Sequence, residues 1–213
     1  MEKFIDLKQD VLNFIKENDV YETKPNINVN FDSLRRKKDL FINRRIPNRD
    51  GDDGLIDVWN IDTIFTENAK KFLTEYTTKV KNTISVAFET QYEIKTHNLY
   101  INKSVSETRG IHADSHFFPS RVKSFLFLTD VPDRSFGPFS FIKGSHTGRG
   151  LKYHRKYDIY EPLNQEDKEN YQIFENVSEG DLVIAAVAGA HRGLPQLEGR
   201  ERMVIVTSYD PIV

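Results

Sequence analysis

Tyr92-Glu93-Ile94-Lys95-Thr96-His97-Asn98-Leu99-Tyr100-Ile101 divides the chain into two halves of different character. It is the first of six short runs rich in β-branched and aromatic residues. Val122–Leu128, Phe139–Ile142, Tyr171–Phe174, Leu182–Val187 and Met203–Ser208 follow, set apart by Gly, Pro and Asp. Runs of this length with turn residues between them mark strands. At this spacing they predict a mainly β fold of about eight strands, a double-stranded β-helix or jelly roll.

Upstream the pattern is helical. Leu7, Val11, Leu12, Phe14 and Ile15 recur at near-helical spacing and predict an amphipathic helix from about Asp6 to Asn18, with Asp6 as its N-cap. Residues 21–60 carry Pro25, Pro47, Gly51, Gly54 and the basic cluster Arg35-Arg36-Lys37-Lys38 without a sustained period, which reads as irregular chain with short strands. From Thr66 a second helix is expected, with Ala69, Phe72, Leu73, Tyr76, Val80, Ile84 and Phe88 on the face that covers the sheet. The whole chain, 1–213, reads as one domain: a core over about 90–210 and a helical and irregular cover over 1–89.

Charge and composition narrow the chemistry. Thirty Lys and Arg against thirty-two Asp and Glu leave a net charge of -2, so no overall field recruits nucleic acid or an anionic membrane. With no cysteine, a metal has to be held by histidine and carboxylate. No apolar run approaches membrane-spanning length and Met1–Asp6 lacks the character of an export signal, so a cytoplasmic protein is expected.

Arg109-Gly110-Ile111-His112-Ala113-Asp114-Ser115 sets a His and an Asp two apart, and in extended chain such residues share a face. Gly189-Ala190-His191-Arg192-Gly193 offers a third ligand between two apolar runs. Two histidines and one carboxylate are the donor set of a facial triad that holds iron(II) and leaves positions open. Arg202 follows His191 by eleven residues at the head of Met203-Val204-Ile205-Val206, where a neighbouring strand can return it to the metal site. Its planar fork can grip a carboxylate through two hydrogen bonds.

The order His112-Ala113-Asp114-Ser115-His116-Phe117-Phe118-Pro119, Phe127-Leu128-Thr129-Asp130-Val131, Gly137-Pro138-Phe139, Lys143-Gly144-Ser145-His146 and Gly180-Asp181-Leu182-Val183, closed by His191-Arg192-Gly193 and Arg202, resembles the phytanoyl-CoA dioxygenase family of 2-oxoglutarate oxygenases over roughly residues 92–210. The resemblance implies that His112, Asp114 and His191 ligate Fe(II) and that Arg202 binds the distal carboxylate of 2-oxoglutarate, with Arg200 as the competing candidate. It implies consumption of O2, release of succinate and CO2, and hydroxylation of a small-molecule substrate. Halogenating members of the wider group replace the carboxylate ligand by a small residue, and Asp114 retains it.

Other residues admit plainer roles. Phe125 and Phe127 can pack against 2-oxoglutarate or serve only the core, and the strand alternation leaves the facing of Leu99 and Asn102 open. His116 is expected at the rim of the site and His146 in a turn, while His97 and His154 carry no motif. Arg109, Arg121, Lys123 and Arg192 near the mouth can steer an anionic substrate or simply be solvated. Substrate choice is expected from residues 20–60 and 145–170. The rival readings are a cupin-like binding protein without turnover and a zinc hydrolase, for which Arg202 has no purpose.

Overall fold

A computed structural model describes residues 2–24, 30, 33, 36–44, 55–106, 108–114, 121–147 and 163–212. Nine strands lie among them, in two antiparallel sheets. The larger sheet has the order β1 (Phe41–Arg44), β2 (Ile56–Trp59), β3 (Tyr92–Lys103), β9 (Glu201–Pro211), β4 (Val122–Phe127), β7 (Leu182–Ala186). The smaller one has the order β6 (Tyr171–Phe174), β5 (Phe139–Ile142), β8 (His191–Gly193). The region read as irregular chain with short strands contributes β1 and β2, which extend the large sheet beyond β3.

Two long helices cover the outer face of the large sheet. Helix α1 (Glu2–Glu17) begins earlier than its sequence pattern suggests. Asp6 is therefore not a cap but an interior residue, accepting a hydrogen bond from Asn68 Nδ2 at 3.2 Å. Helix α2 (Glu67–Ala87) starts after Thr66, whose backbone N and Oγ1 both donate to Asp10 Oδ2 at 2.8 Å. One helix thus supplies the carboxylate that fixes the residue at which the other begins. Leu7, Val11, Phe14, Ala69 and Leu73 pack with Val58, Leu99, Ile101, Leu126 and Ile205 in one buried cluster.

The inner face of the large sheet meets the small one through Phe125, Phe127, Val204 and Val206 against Phe139, with Phe141 and Phe174 beside it. Phe125 and Phe139 stand 4.7 Å apart, centroid to centroid. Side chains alternate across each strand, so cross-strand partners share a face. Asn102 with Arg202, Tyr100 with Val204, and Phe127 with Val204 fall on the inner face, while Leu99 with Ile205 and Ile101 with Met203 fall on the helix face. A register shift in β3 between Ile94 and Thr96 sets which residues lie where. Gly137, at φ +68, turns the chain into β5; a Cβ there would lie 2.6 Å from the Leu194 carbonyl oxygen. No helix among the described residues is long and apolar enough to cross a membrane.

Candidate metal and co-substrate site

Between the sheets lies a cavity walled by His112 and His191 on one side and by Tyr100, Lys123, Phe127 and Arg202 on the other. His112 and His191 are held to each other by main chain: each backbone N donates to the other's carbonyl oxygen, at 3.0 and 2.9 Å. Their rings lie 4.5 Å apart. Asp114, two residues on, is pinned by its own N–H to the Val187 carbonyl at 2.8 Å. Ligand atoms of the three residues all fall within 4.8 Å of one another, a spacing able to hold a metal ion. Asp114 Oδ1 lies 3.6 Å from His112 Nε2, and Oδ2 lies 3.9 Å from His191 Nε2.

The imidazole tautomers follow from the ring contacts. His112 Nδ1 is 2.9 Å from the Gly110 carbonyl oxygen and His191 Nδ1 is 2.9 Å from that of Gly189. A carbonyl only accepts, so each Nδ1 carries the proton and each Nε2 turns a lone pair toward Asp114. This is the arrangement a histidine-bound metal requires, with the outer nitrogen satisfied by backbone. Electrostatics agree. Burial, with the nearby Arg109 charge next, pushes His112 well below its usual value, and burial likewise lowers His191, so both rings stay neutral. Burial alone would raise Asp114; the Lys123 ammonium, with Arg109, outweighs it and holds the carboxyl well below the usual range. The site therefore offers two neutral nitrogens and a carboxylate, and this donor set fits a divalent ion.

Arg202 enters from β9. Its Nη2 donates to Asn102 Oδ1 at 3.0 Å, and a Cβ at Gly193 would stand 3.0 Å from the same nitrogen. Gly193 follows His191 by two on β8, so the backbone that carries a candidate ligand also makes room for the guanidinium. Arg200 instead lies over the Phe136 ring, 4.7 Å from its centroid, outside the cavity.

Phe125 and Phe127 line the cavity, as do Asn102 and Tyr100. Leu99 does not: it is fully buried on the opposite face of β3, against the helices, and cannot touch a ligand in the cavity. Of the basic residues at the mouth, Arg121 pairs with Asp210 through Nη2 at 2.8 Å, Arg192 donates to Thr108 Oγ1 at 2.8 Å, and Lys123 donates to Asp114 Oδ2 at 2.7 Å. No sequence pattern signals that last contact or the two carbonyl acceptors. His146 lies in the turn Ser145–Thr147 outside the triad, and His97 sits on the helix side with Nδ1 3.0 Å from Thr207 Oγ1. His116, His154 and much of 20–60 and 145–170 lie outside the described residues.

No protein-family model matches the chain, and no curated protein matches it. Among solved structures the fold is similar to AviO1 from Streptomyces viridochromogenes Tue57, at 14% identity over 98% of this chain and 84% of that one, with a TM-score of 0.61. It is similar to HygX from Streptomyces hygroscopicus with nickel and 2-oxoglutarate bound, at 13% identity over 85% and 76%, with a TM-score of 0.56. A third is SnoK, a non-haem α-ketoglutarate-dependent carbocyclase from nogalamycin biosynthesis, at 16% identity over 84% and 71%, with a TM-score of 0.56. At these identities the likeness is one of fold, and none of these matches singles out the phytanoyl-CoA dioxygenases.

Proposed function

We propose that this chain is a single-domain, non-haem iron(II) enzyme on a double-stranded β-helix that consumes 2-oxoglutarate and O2 and hydroxylates a small-molecule substrate, in the manner of the phytanoyl-CoA dioxygenases it resembles. The observation that carries this reading is one cavity lined by His112 and His191, which cluster with Asp114, and by Arg202, whose guanidinium lies beside Gly193, two residues along β8 from His191. HygX, whose structure holds nickel and 2-oxoglutarate on the same fold, supports it.

In this reading His112 and His191 give Nε2 and Asp114 gives a carboxylate oxygen to the ion. Arg202 takes the distal carboxylate of 2-oxoglutarate with two N–H groups, oriented by Asn102. Phe125 and Phe127 pack along its methylene groups and keep water from the centre. When bound, iron(II) supplies the redox chemistry that couples decarboxylation of 2-oxoglutarate to oxidation of a substrate C–H bond. Asp114 occupies the place that a halide would need, which favours hydroxylation over halogenation. A second reading keeps the oxidant and changes the outcome to ring closure or epimerisation, since SnoK is described as a carbocyclase and the similar SnoN as an epimerase.

The test is anaerobic addition of iron(II) and then 2-oxoglutarate, followed by the visible charge-transfer band and, on admitting oxygen, by succinate. Wild type is expected to give both, and His191→Ala to lose the band and at least about 100-fold in succinate rate. A folded, iron-supplied wild type with neither signal returns the chain to the binding-protein or zinc readings.

A further inference from the structure

We infer that Lys123 is a positioning residue for the metal-binding carboxylate: it anchors one oxygen of Asp114 and leaves the other alone to take the metal. The inference rests on the proposed function for the role of Asp114. Lys123 lies on β4 between β9 and β7, paired with Ser208 on one side and Ala185 on the other, so its backbone is fixed from both edges. Its side chain points inward with Phe125 and Phe127 and is only 15% exposed. There Nζ donates to Asp114 Oδ2 at 2.7 Å, while Oδ1 is turned toward His112 Nε2 at 3.6 Å.

An apolar side chain would fill this wall at less cost, since a buried ammonium has to recover its lost hydration from its partner. That partner is Asp114. A carboxylate free on both sides can chelate an ion with both oxygens; one whose Oδ2 is engaged by an ammonium is held to one-oxygen ligation. The difference counts at the metal, because two histidines and one oxygen leave three positions of an octahedral ion open, and a chelating carboxylate closes one of them. Direct contact between Lys123 and the distal end of 2-oxoglutarate is the competing use. The register argues against it: Lys123 sits opposite Ser208, six residues along β9 from Arg202.

Cobalt(II) is the probe, so nothing depends on turnover. For wild type, K123M and K123Q, three quantities are measured: the Kd of cobalt(II), the visible spectrum of the cobalt protein without co-substrate, and the Kd of 2-oxoglutarate for the cobalt protein. In K123M the spectrum is expected to change, cobalt(II) binding to hold, and the Kd of 2-oxoglutarate to rise by about tenfold or more. K123Q keeps an N–H donor for Oδ2 and is expected to recover most of that loss; K123A replaces K123M if the latter does not fold. An unchanged spectrum overturns the inference, whether 2-oxoglutarate binding is unaffected or is lost through a direct contact. A parallel loss of cobalt(II) and 2-oxoglutarate binding, unrelieved in K123Q, overturns it as well, marking a purely structural lysine. Wild-type cobalt protein that binds no 2-oxoglutarate sinks the parent reading instead.

Discussion

A methyl group on Gly193 would press on Arg202 Nη2 at 3.0 Å, and the guanidinium, buried and held by Asn102, has little room to yield. Gly193→Ala is therefore expected to weaken 2-oxoglutarate binding by about tenfold while leaving metal affinity in place, a split that calorimetry of the two ligands reads directly. A second single-residue expectation concerns His97. Burial lowers its pKa below the ordinary 6.5, with Asp62 pulling it up and Lys38 pushing it down. Above that ordinary value both the folded and unfolded chains hold the ring neutral. As pH falls below it the unfolded chain takes up the proton first, so stability drops until the lower folded pKa is reached. The slope is at most about 1.4 kcal/mol per pH unit. Denaturant titrations at pH 7.5 and 5.5 are expected to show a smaller loss for His97→Gln than for wild type; an equal loss would remove His97 from the account. The clustering of His112, Asp114 and His191 was legible from two short motifs, because residue type and a two-residue offset suffice to put His112 and Asp114 on one side of extended chain. The facing of Leu99 was not. Tyr92 and Ile94 face the helices, and counting by twos from them puts Leu99 in the cavity, but the shift between Ile94 and Thr96 reverses the parity.

Strand β8 is three residues long, too short to hold a ligand in place by its own ladder. Ser145 makes up the difference: its Oγ accepts from Ala190 N at 2.7 Å and donates to the Ile142 carbonyl at 2.6 Å, so the residue before His191 is tied to the end of β5. Ser145→Ala leaves the Ala190 N–H buried without that acceptor and is expected to cost about 1–3 kcal/mol in urea unfolding. The same variant should loosen metal binding, which a structural serine remote from β8 would not do. The Gly144-Ser145-His146 motif was visible in the sequence, yet which of its polar groups mattered was not, since that depends on where β5 ends relative to β8. Helix α2 was legible because its apolar positions repeat over 21 residues; the start of α1 was not. Aspartate is a favoured cap, but Asp6 is drawn into the helix interior by Phe4, which packs on Phe72 at 5.9 Å and extends the apolar face by a turn.

At the scale of the molecule, the cavity lies at the seam between two sheets that touch mainly through aromatic side chains. A ligand gripping residues from both sheets adds to folding stability by mass action, about 2.7 kcal/mol at a hundred times its Kd. Thermal unfolding should move upward on adding iron(II) under nitrogen, move again with 2-oxoglutarate, and return on chelation; a second step absent in Arg202→Ala assigns it to the co-substrate. The six strand runs beyond residue 90 fell where β-branched and aromatic residues concentrate, and the central strands β4 and β9 carry such residues on both faces because helices cover one side and the small sheet the other. The pairing of β1 and β2 onto β3 had no such signature, being four-residue strands set among turn-forming residues.

The two histidine rings hang from the peptide oxygens of Gly110 and Gly189, and peptide oxygens are not encoded by any codon. A saturation library of this chain can delete every side-chain partner of the site in turn, yet it has no way to delete these two acceptors. Tolerance maps around the cluster should accordingly look lopsided: abrupt failure at positions that bend the main chain, such as Gly189, where a Cβ would strike the Phe141 ring at 2.3 Å, and gradual loss at those that only tune the carboxylate. In a lineage under drift, the orientation of the two imidazoles would then outlast the sequence around them.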